Sequence, residues 1–350
     1  MRAKTYQHFI LKTSFHRVLV LVFLITYLLP GLLSAETKGR LYHDLFSVSY
    51  PTEKEGWVCG RWGTILHTVD GGKTWKPQTS GTNYTLTSIY FVDPKNGWAV
   101  GDSGTILFTE NGGQSWVKQK SPIPYFLEGV HFVNARKGWI VAERTTILYT
   151  EDGGKIWKVQ FSDEDFILKS VSFCDERNGW TAGEFGYIYK TNDGGKTWKR
   201  QAGEFDFSEK TGEMVGGNFL FNVIAVNSLT AWVVGIDGYV AKTFDGGATW
   251  RKVTNGIPKT HLFGIASNGK NIIIIVGDAL LLTSTDGGRT FMDARIEPPI
   301  AYGWLYRVTP RDSVSFVAVG KEGCIYQSNK DGNSWKLIEN SRERTSTGRR

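Results

Sequence analysis

The amino-acid sequence predicts an all-β protein, a single seven-bladed β-propeller of four-stranded antiparallel blades, and three observations predict it. The first is a repeated octet. Thr-Val-Asp-Gly-Gly-Lys-Thr-Trp at 68–75 recurs at 109–116, 150–157, 191–198, 243–250 and 284–291, and a worn copy closes the series at 328–335. The terminal aromatics lie 41, 41, 41, 52, 41 and 44 residues apart, which is the period of a propeller blade. The second is a column 18 residues before the terminal aromatic: Gly56-Trp57, Gly97-Trp98, Gly138-Trp139, Gly179-Trp180 and Ala231-Trp232. The third is composition, with 41 glycines and 13% aromatic residues. Tight turns need the first and flat sheet faces the second.

Each repeat resolves into four short strands, here lettered A to D. In the second copy they are 88–92, 97–101, 105–109 and 115–118. The links Asp93-Pro94-Lys95-Asn96, Asp102-Ser103-Gly104 and Glu110-Asn111-Gly112-Gly113 are turn sequences, because Asx side chains bond the backbone and glycine supplies positive φ. The octet is therefore an Asp box in the C–D turn. Asp70, Asn111, Asp152, Asp193, Asp245 and Asp286 are expected to accept backbone N–H bonds inside their own turns, and the terminal Trp to pack between neighbouring sheets. Equivalent residues in seven blades point apart around a ring, so this acidic series is framework rather than a catalytic cluster. The column of His67, Phe108, Tyr149 and Lys190 is expected to face outward. The chain enters on a strand A at 45–50 and leaves on a strand D at 335–339, so ring closure is expected to rest on face packing, with 36–44 available as a closing strand.

The flanks differ from the repeats. Residues 1–35 hold four basic residues and no acid, then an apolar run from Val18 to Leu29, then Pro30-Gly31 and a small residue at Ala35. This is the pattern of a Sec signal, with an uncleaved anchor as the alternative. The run is short of the roughly 20 residues of a membrane span. The propeller is assigned to 36–340 and a basic, disordered tail to 341–350, with four arginines and one acid. Removing both flanks leaves 33 basic against 33 acidic residues of the chain's 41 and 34. The net charge of +7 is thus carried by the ends. A nucleic-acid binder concentrates basic charge on its folded surface, so that class is set aside. Cys59, Cys174 and Cys324 have no metal-ligand spacing, no phosphate loop is present, and no cofactor or metal is expected. A Cys59–Cys324 bridge stays open.

In a four-stranded meander the A–B and C–D turns emerge on one face and the B–C tips and D–A loops on the other. The boxes make the first face uniform. The second varies, and the 11 extra residues behind the 52-residue interval fall there, near 203–217. Variable loops on a repeated scaffold are where specificity sits. Of the tryptophans only Trp62 and Trp304 lie outside the repeat columns. The candidate partner-binding residues are Arg61, Trp62, Arg144, Phe185, Trp304 and Arg307, with Trp304 and Arg307 read as loop residues.

The repeat Gly-Trp-x-x-Gly-x-x-Gly-x-Ile-Leu-x-Thr-x-Asp-Gly-Gly-x-Thr-Trp, plainest at 97–116 and 179–198, resembles the photosystem II stability/assembly factor family over 45–339. The resemblance implies a seven-bladed propeller without catalysis, exported to a periplasm or lumen, that holds newly made membrane-protein subunits during assembly. The expected partner is a membrane-protein subunit or another envelope complex, met by a monomer that reaches the membrane through that partner. The alternative is a carbohydrate-binding or glycoside-hydrolase propeller, since sialidases share the Asp box. A glycosidase needs two carboxylates facing one bond, and Glu143, Glu184, Asp237 and Asp278 lie on the correct face.

Overall fold

In the computed structural model of the protein, residues 43–208 and 213–339 are described. The signal segment 1–35, residues 36–42 of the closing-strand candidate 36–44 and the tail 341–350 lie outside them, and residues 43 and 44 are not in a strand. Seven meandering antiparallel sheets follow one another along the chain. Their innermost strands A are Leu45–Ser49, Leu86–Phe91, Leu127–Phe132, Leu168–Phe173, Leu220–Ala225, Leu262–Ser267 and Leu305–Pro310. Each contacts the next, and the last contacts the first, around a central channel. Blade 2 is representative: Leu86–Phe91, Gly97–Gly101, Thr105–Thr109 and Val117–Gln119 pair in sequence order. The insertion after blade 4 is a hairpin of Phe205–Ser208 with Glu213–Gly216.

Strand B is wholly buried in every blade because it is covered by sheets on both sides. The aromatic that ends strand A explains the glycine that opens strand B. Trp98 stacks on Phe132 of the next blade at 3.5 Å, and Phe132 meets Trp157 edge-on at 5.8 Å. The same sandwich holds Trp57, Phe91 and Trp116, and Trp139, Phe173 and Trp198. A Cβ on Gly97 would stand 2.4 Å from the Phe91 ring, so only glycine lets the two strands close up there. The other face of each Trp is covered by the strand C column. His67 stacks on Trp57 at 4.2 Å, Phe108 and Tyr149 lean on Trp98 and Trp139, and the Lys190 ammonium lies over Trp180. That column therefore packs inward, correcting the outward orientation expected from sequence: a Trp ring is too large for one neighbouring sheet to cover.

Two sets of hydrogen bonds tie blade to blade. Near the channel, strand A side chains accept amides of the following blade: Ser47 from Ile89, Ser88 from Val130, Ser170 from Val223 and Asn222 from Ile265. Farther out, a glycine carbonyl of each box accepts a bond from the blade before it. Gln78, Gln119, Gln160 and Gln201 donate to Gly112, Gly153, Gly194 and Gly246 at 2.9, 2.9, 3.1 and 2.7 Å. Lys242 and Thr283 donate to Gly287 and Gly332. Gln327 of blade 7 donates to Gly71 of blade 1 and completes the ring.

Closure has further parts. Arg311 also donates to Gly71 O, and the Glu322 amide donates to Asp44. Blade 7 carries a fifth strand, Arg295–Glu297, parallel to Ser334–Glu339. This strand comes from the connection between blades 6 and 7 and is additional to the four strands per blade expected from sequence. Among the described residues Cys59, Cys174 and Cys324 form no disulfide, and burial raises the pKa of Cys59.

Gln119 works in both directions, since it also accepts the Trp157 indole N–H at 3.0 Å. Gln119→Leu leaves that donor without a partner and the Gly153 carbonyl with the Trp98 indole N–H alone. We expect a loss of about 1–3 kcal/mol, read as a lower urea midpoint at unchanged m-value.

Candidate functional site: the channel mouth

Strand A of every blade opens with a buried Leu. The residue after it faces the mouth of the channel. Around the ring these second residues are Phe46, Thr87, Glu128, Lys169, Phe221, Phe263 and Tyr306. Strand A follows a D–A loop, so its first residues stand on the variable face, opposite the boxes. Phe126 and Glu143 complete a recess of about 450 Å³.

The ring divides chemically. Phe221, Phe263, Tyr306 and Phe46 form a continuous aromatic arc, with successive centroids 5.0, 5.8 and 4.8 Å apart. Opposite it, Lys169 donates to Glu128 at 2.6 Å and Thr87 donates to the Leu127 carbonyl. Burial raises the Glu128 pKa, Lys169 opposes that, and Glu143 and Glu184 add to it. Glu143 accepts the Phe126 amide at 3.3 Å. Both carboxylates of the recess are thus held by partners of the propeller itself.

The six residues singled out from sequence do not converge. Arg61, Trp62 and Arg144 stand on B–C tips as expected. Trp62 is 64% exposed and borders a groove of about 930 Å³ with Tyr84, Thr105 and Lys118. Arg61 pairs with Asp44 at 3.2 Å and lies over Phe46. Arg144 lies over Tyr125 at 4.5 Å. Trp62, Ser103, Arg144, Phe185, Asp237, Ala279 and Glu322 all have φ between 50° and 57°. This left-handed residue belongs to the tip geometry of every blade and marks no single site.

Phe185 is half-buried against Phe166 and Phe219. The base of the blade 4 insertion also covers it, through Glu204 N to Phe185 O. It is a wall of that loop rather than a free anchor. Trp304 is half-buried beside Tyr306 with the Lys321 ammonium over its ring. Arg307 needs the larger correction. It is the third residue of a strand A, not a loop residue, and it lines both the recess and the channel beneath. Burial lowers its pKa, with Cys59 and Glu128 acting the other way. The aromatic arc was missed from sequence. The signal that could have found it is the residue after each strand A Leu, where four blades put an aromatic at an edge that has no sheet beyond it.

A family model described as photosynthesis system II assembly factor YCF48 matches residues 36–124, 118–207 and 213–345. The chain belongs to the YCF48 family. Photosystem II assembly lipoprotein Ycf48 of Synechococcus sp. (strain CC9902) is 30% identical over 112 residues, covering 30% of this chain and 32% of the relative. The match thus spans about a third of that relative's length. The fold is similar to a solved structure of YCF48 bound to D1 peptide, at 19% identity and TM-score 0.67, over 83% of this chain and 95% of that one. YCF48 from Cyanidioschyzon merolae gives 18% and 0.66, over 82% and 96%. The Niastella koreensis GH74 enzyme gives 13% and 0.68, over 85% of this chain and 54% of that chain. All three likenesses show the propeller fold.

The box aspartates hold their turns as hydrogen-bond acceptors, away from the recess of this YCF48-family chain. Asp70 accepts Thr74 N at 2.9 Å and Thr74 Oγ1 at 2.6 Å, and Asp245 and Asp286 repeat the pattern. In the second box Asn111 accepts Ser115 N and donates to Ser115 Oγ. The threonine hydroxyl and amide bonds lower the Asp70 and Asp245 pKa values to about 2, and Asp286 falls as well. A pKa below its unfolded value makes a contribution present above about pH 4 and lost toward pH 2. Replacing Asp70, Asp245 and Asp286 together by Asn should flatten the fall in thermal midpoint across that window. Equal falls in variant and wild type would contradict this.

Proposed function

We propose that the protein is an exported, non-enzymatic binding propeller that holds a membrane-protein subunit during assembly of photosystem II, and that the face of B–C tips and D–A loops around the channel mouth is its docking surface. One observation carries the reading. On this face the repeat is broken by an aromatic and ionic recess and by exposed side chains, whereas the box face is uniform. Large aromatics and arginines are the residues that dominate protein interfaces. Trp62 and Arg144 hold such positions at the rim, and Tyr302 is 75% exposed on the same face. Family membership supports the assembly role, and a relative of the same fold is known with D1 peptide bound. The reading keeps 1–35 as a signal, 36–340 as the propeller and a lumen-like or periplasmic location.

Of the carboxylates that the hydrolase alternative offers, Glu143 and Glu184 accept the Phe126 and Ile167 amides and Asp237 faces His261 at 3.8 Å, while Glu128 of the recess is held by Lys169.

The test is crosslinked capture from the native membrane fraction, with wild type beside a Trp62→Gly/Arg144→Glu variant. Glycine suits the left-handed tip backbone, so the variant should keep its thermal midpoint. The expected result is capture of a defined membrane-protein subunit by wild type and at least about tenfold less by the variant, the effect of about 1.4 kcal/mol. Equal capture by both would remove the docking surface. Glycan cleavage by the purified protein would replace the assembly reading with the hydrolase one.

A further inference from the structure

Arg307 is out of place in its column. The third residue of strand A is Ser47, Ser88, Gly129, Ser170, Asn222, Gly264 and Arg307 around the ring. Four of these accept an amide of the next blade. A guanidinium has five donors and no acceptor, so Arg307 cannot make that latch. Gly264 on the preceding blade leaves room for it, since a Cβ there would stand 3.1 Å from Arg307 Cα. The Arg307 backbone pairs with Val319, but among the described residues its guanidinium has no hydrogen-bond or ion-pair partner. The Lys169 charge, by contrast, is neutralised by Glu128 at 2.6 Å.

A half-buried cation that no carboxylate contacts gains by meeting an anion. Its position defines that anion. Arg307 sits where the recess narrows into the channel, at the foot of the aromatic arc. We propose that the recess binds a carboxylate carried on an apolar group, with the Arg307 guanidinium as the anion contact and Phe46, Phe221, Phe263 and Tyr306 as the apolar wall. A planar guanidinium matches a carboxylate in two-point geometry. Glu128 and Glu143 on the opposite wall repel a doubly charged phosphate and leave one negative charge as the better fit. The volume of about 450 Å³ lies within the range of small-ligand sites. A free aliphatic or aromatic acid and the C-terminus of a polypeptide ending in an apolar residue share this chemistry. The inference concerns the recess alone and stands without the docking reading.

Calorimetric titration of the purified protein tests it with four probes: the tripeptide Ala-Leu-Phe as free acid, the same tripeptide as C-terminal amide, 4-phenylbutyrate and inorganic phosphate. The free acid should bind about ten- to a hundredfold more tightly than the amide, the range of one charged hydrogen-bonded contact. Inorganic phosphate should not compete. Arg307→Gln should abolish the acid-over-amide preference while leaving the thermal midpoint equal or higher, because an unpaired charge is removed. Phe263→Ala should weaken the acid and the amide alike. Binding of 4-phenylbutyrate alone identifies a free acid as the ligand, and binding of the tripeptide acid alone identifies a chain terminus. Equal affinity for acid and amide, no binding of either acid, or full affinity in Arg307→Gln would overturn the proposal. If Arg307→Gln does not fold, the acid-over-amide preference of the wild type decides alone. Membrane-subunit capture is a separate readout, so its failure with acid binding intact removes the docking surface and leaves the recess.

Discussion

The glycine carbonyl that each box offers to the blade before it is the contact on which the ring depends. Seven sheets can pack face to face at many small offsets, because flat apolar faces slide. A directional bond at the rim of each interface fixes the offset, and here every interface has one, from Gln78 onto Gly112 round to Gln327 onto Gly71. In four interfaces the same glutamine also receives an indole N–H, so the bond locates the Trp as well as the sheet. The box aspartate acts one step earlier. It holds the turn in the shape that aims the carbonyl outward.

That division of labour explains why one face of the molecule is monotonous and the other is not. Turn, glycines, clamp and Trp stack all lie toward the boxes or between the sheets. The first residues of strand A, by contrast, meet no neighbouring strand on the channel side. They were free to become an arc of Phe and Tyr, an ion pair and an unpartnered arginine. The recess is thus a product of the scaffold's geometry: a ring of seven edges leaves a hole, and the hole is where side chains can vary without disturbing a clamp.

Much of the fold was legible in the sequence because repetition multiplies weak signals. A single Asp-Gly-Gly is a turn and nothing more, whereas seven at near-constant spacing define blades, strand order and faces. The parts that escaped are those that do not repeat. The strand at Arg295–Glu297 pairs with strand D of blade 7, whereas the other six blades leave strand D as an open edge, so no repeat signals it. Phe185 looked like an exposed tip residue because the hairpin base that covers it occurs once. Arg307 was read as a loop residue because its neighbours in the column are small, so the column itself was hard to see. The inward packing of His67 and Lys190 follows from the size of a Trp ring, which spacing alone does not convey.

The central claim is that partners meet the face of the channel mouth and leave the box face free. Site-specific photo-crosslinking tests it most directly, with a photoreactive residue placed at Tyr302, 75% exposed beside the mouth, or at Val69, 58% exposed in the first box. In native membranes the account predicts a discrete crosslinked subunit from position 302 and none from position 69. A discrete product from 69 with none from 302 would contradict it and move the functional surface to the opposite side of the propeller.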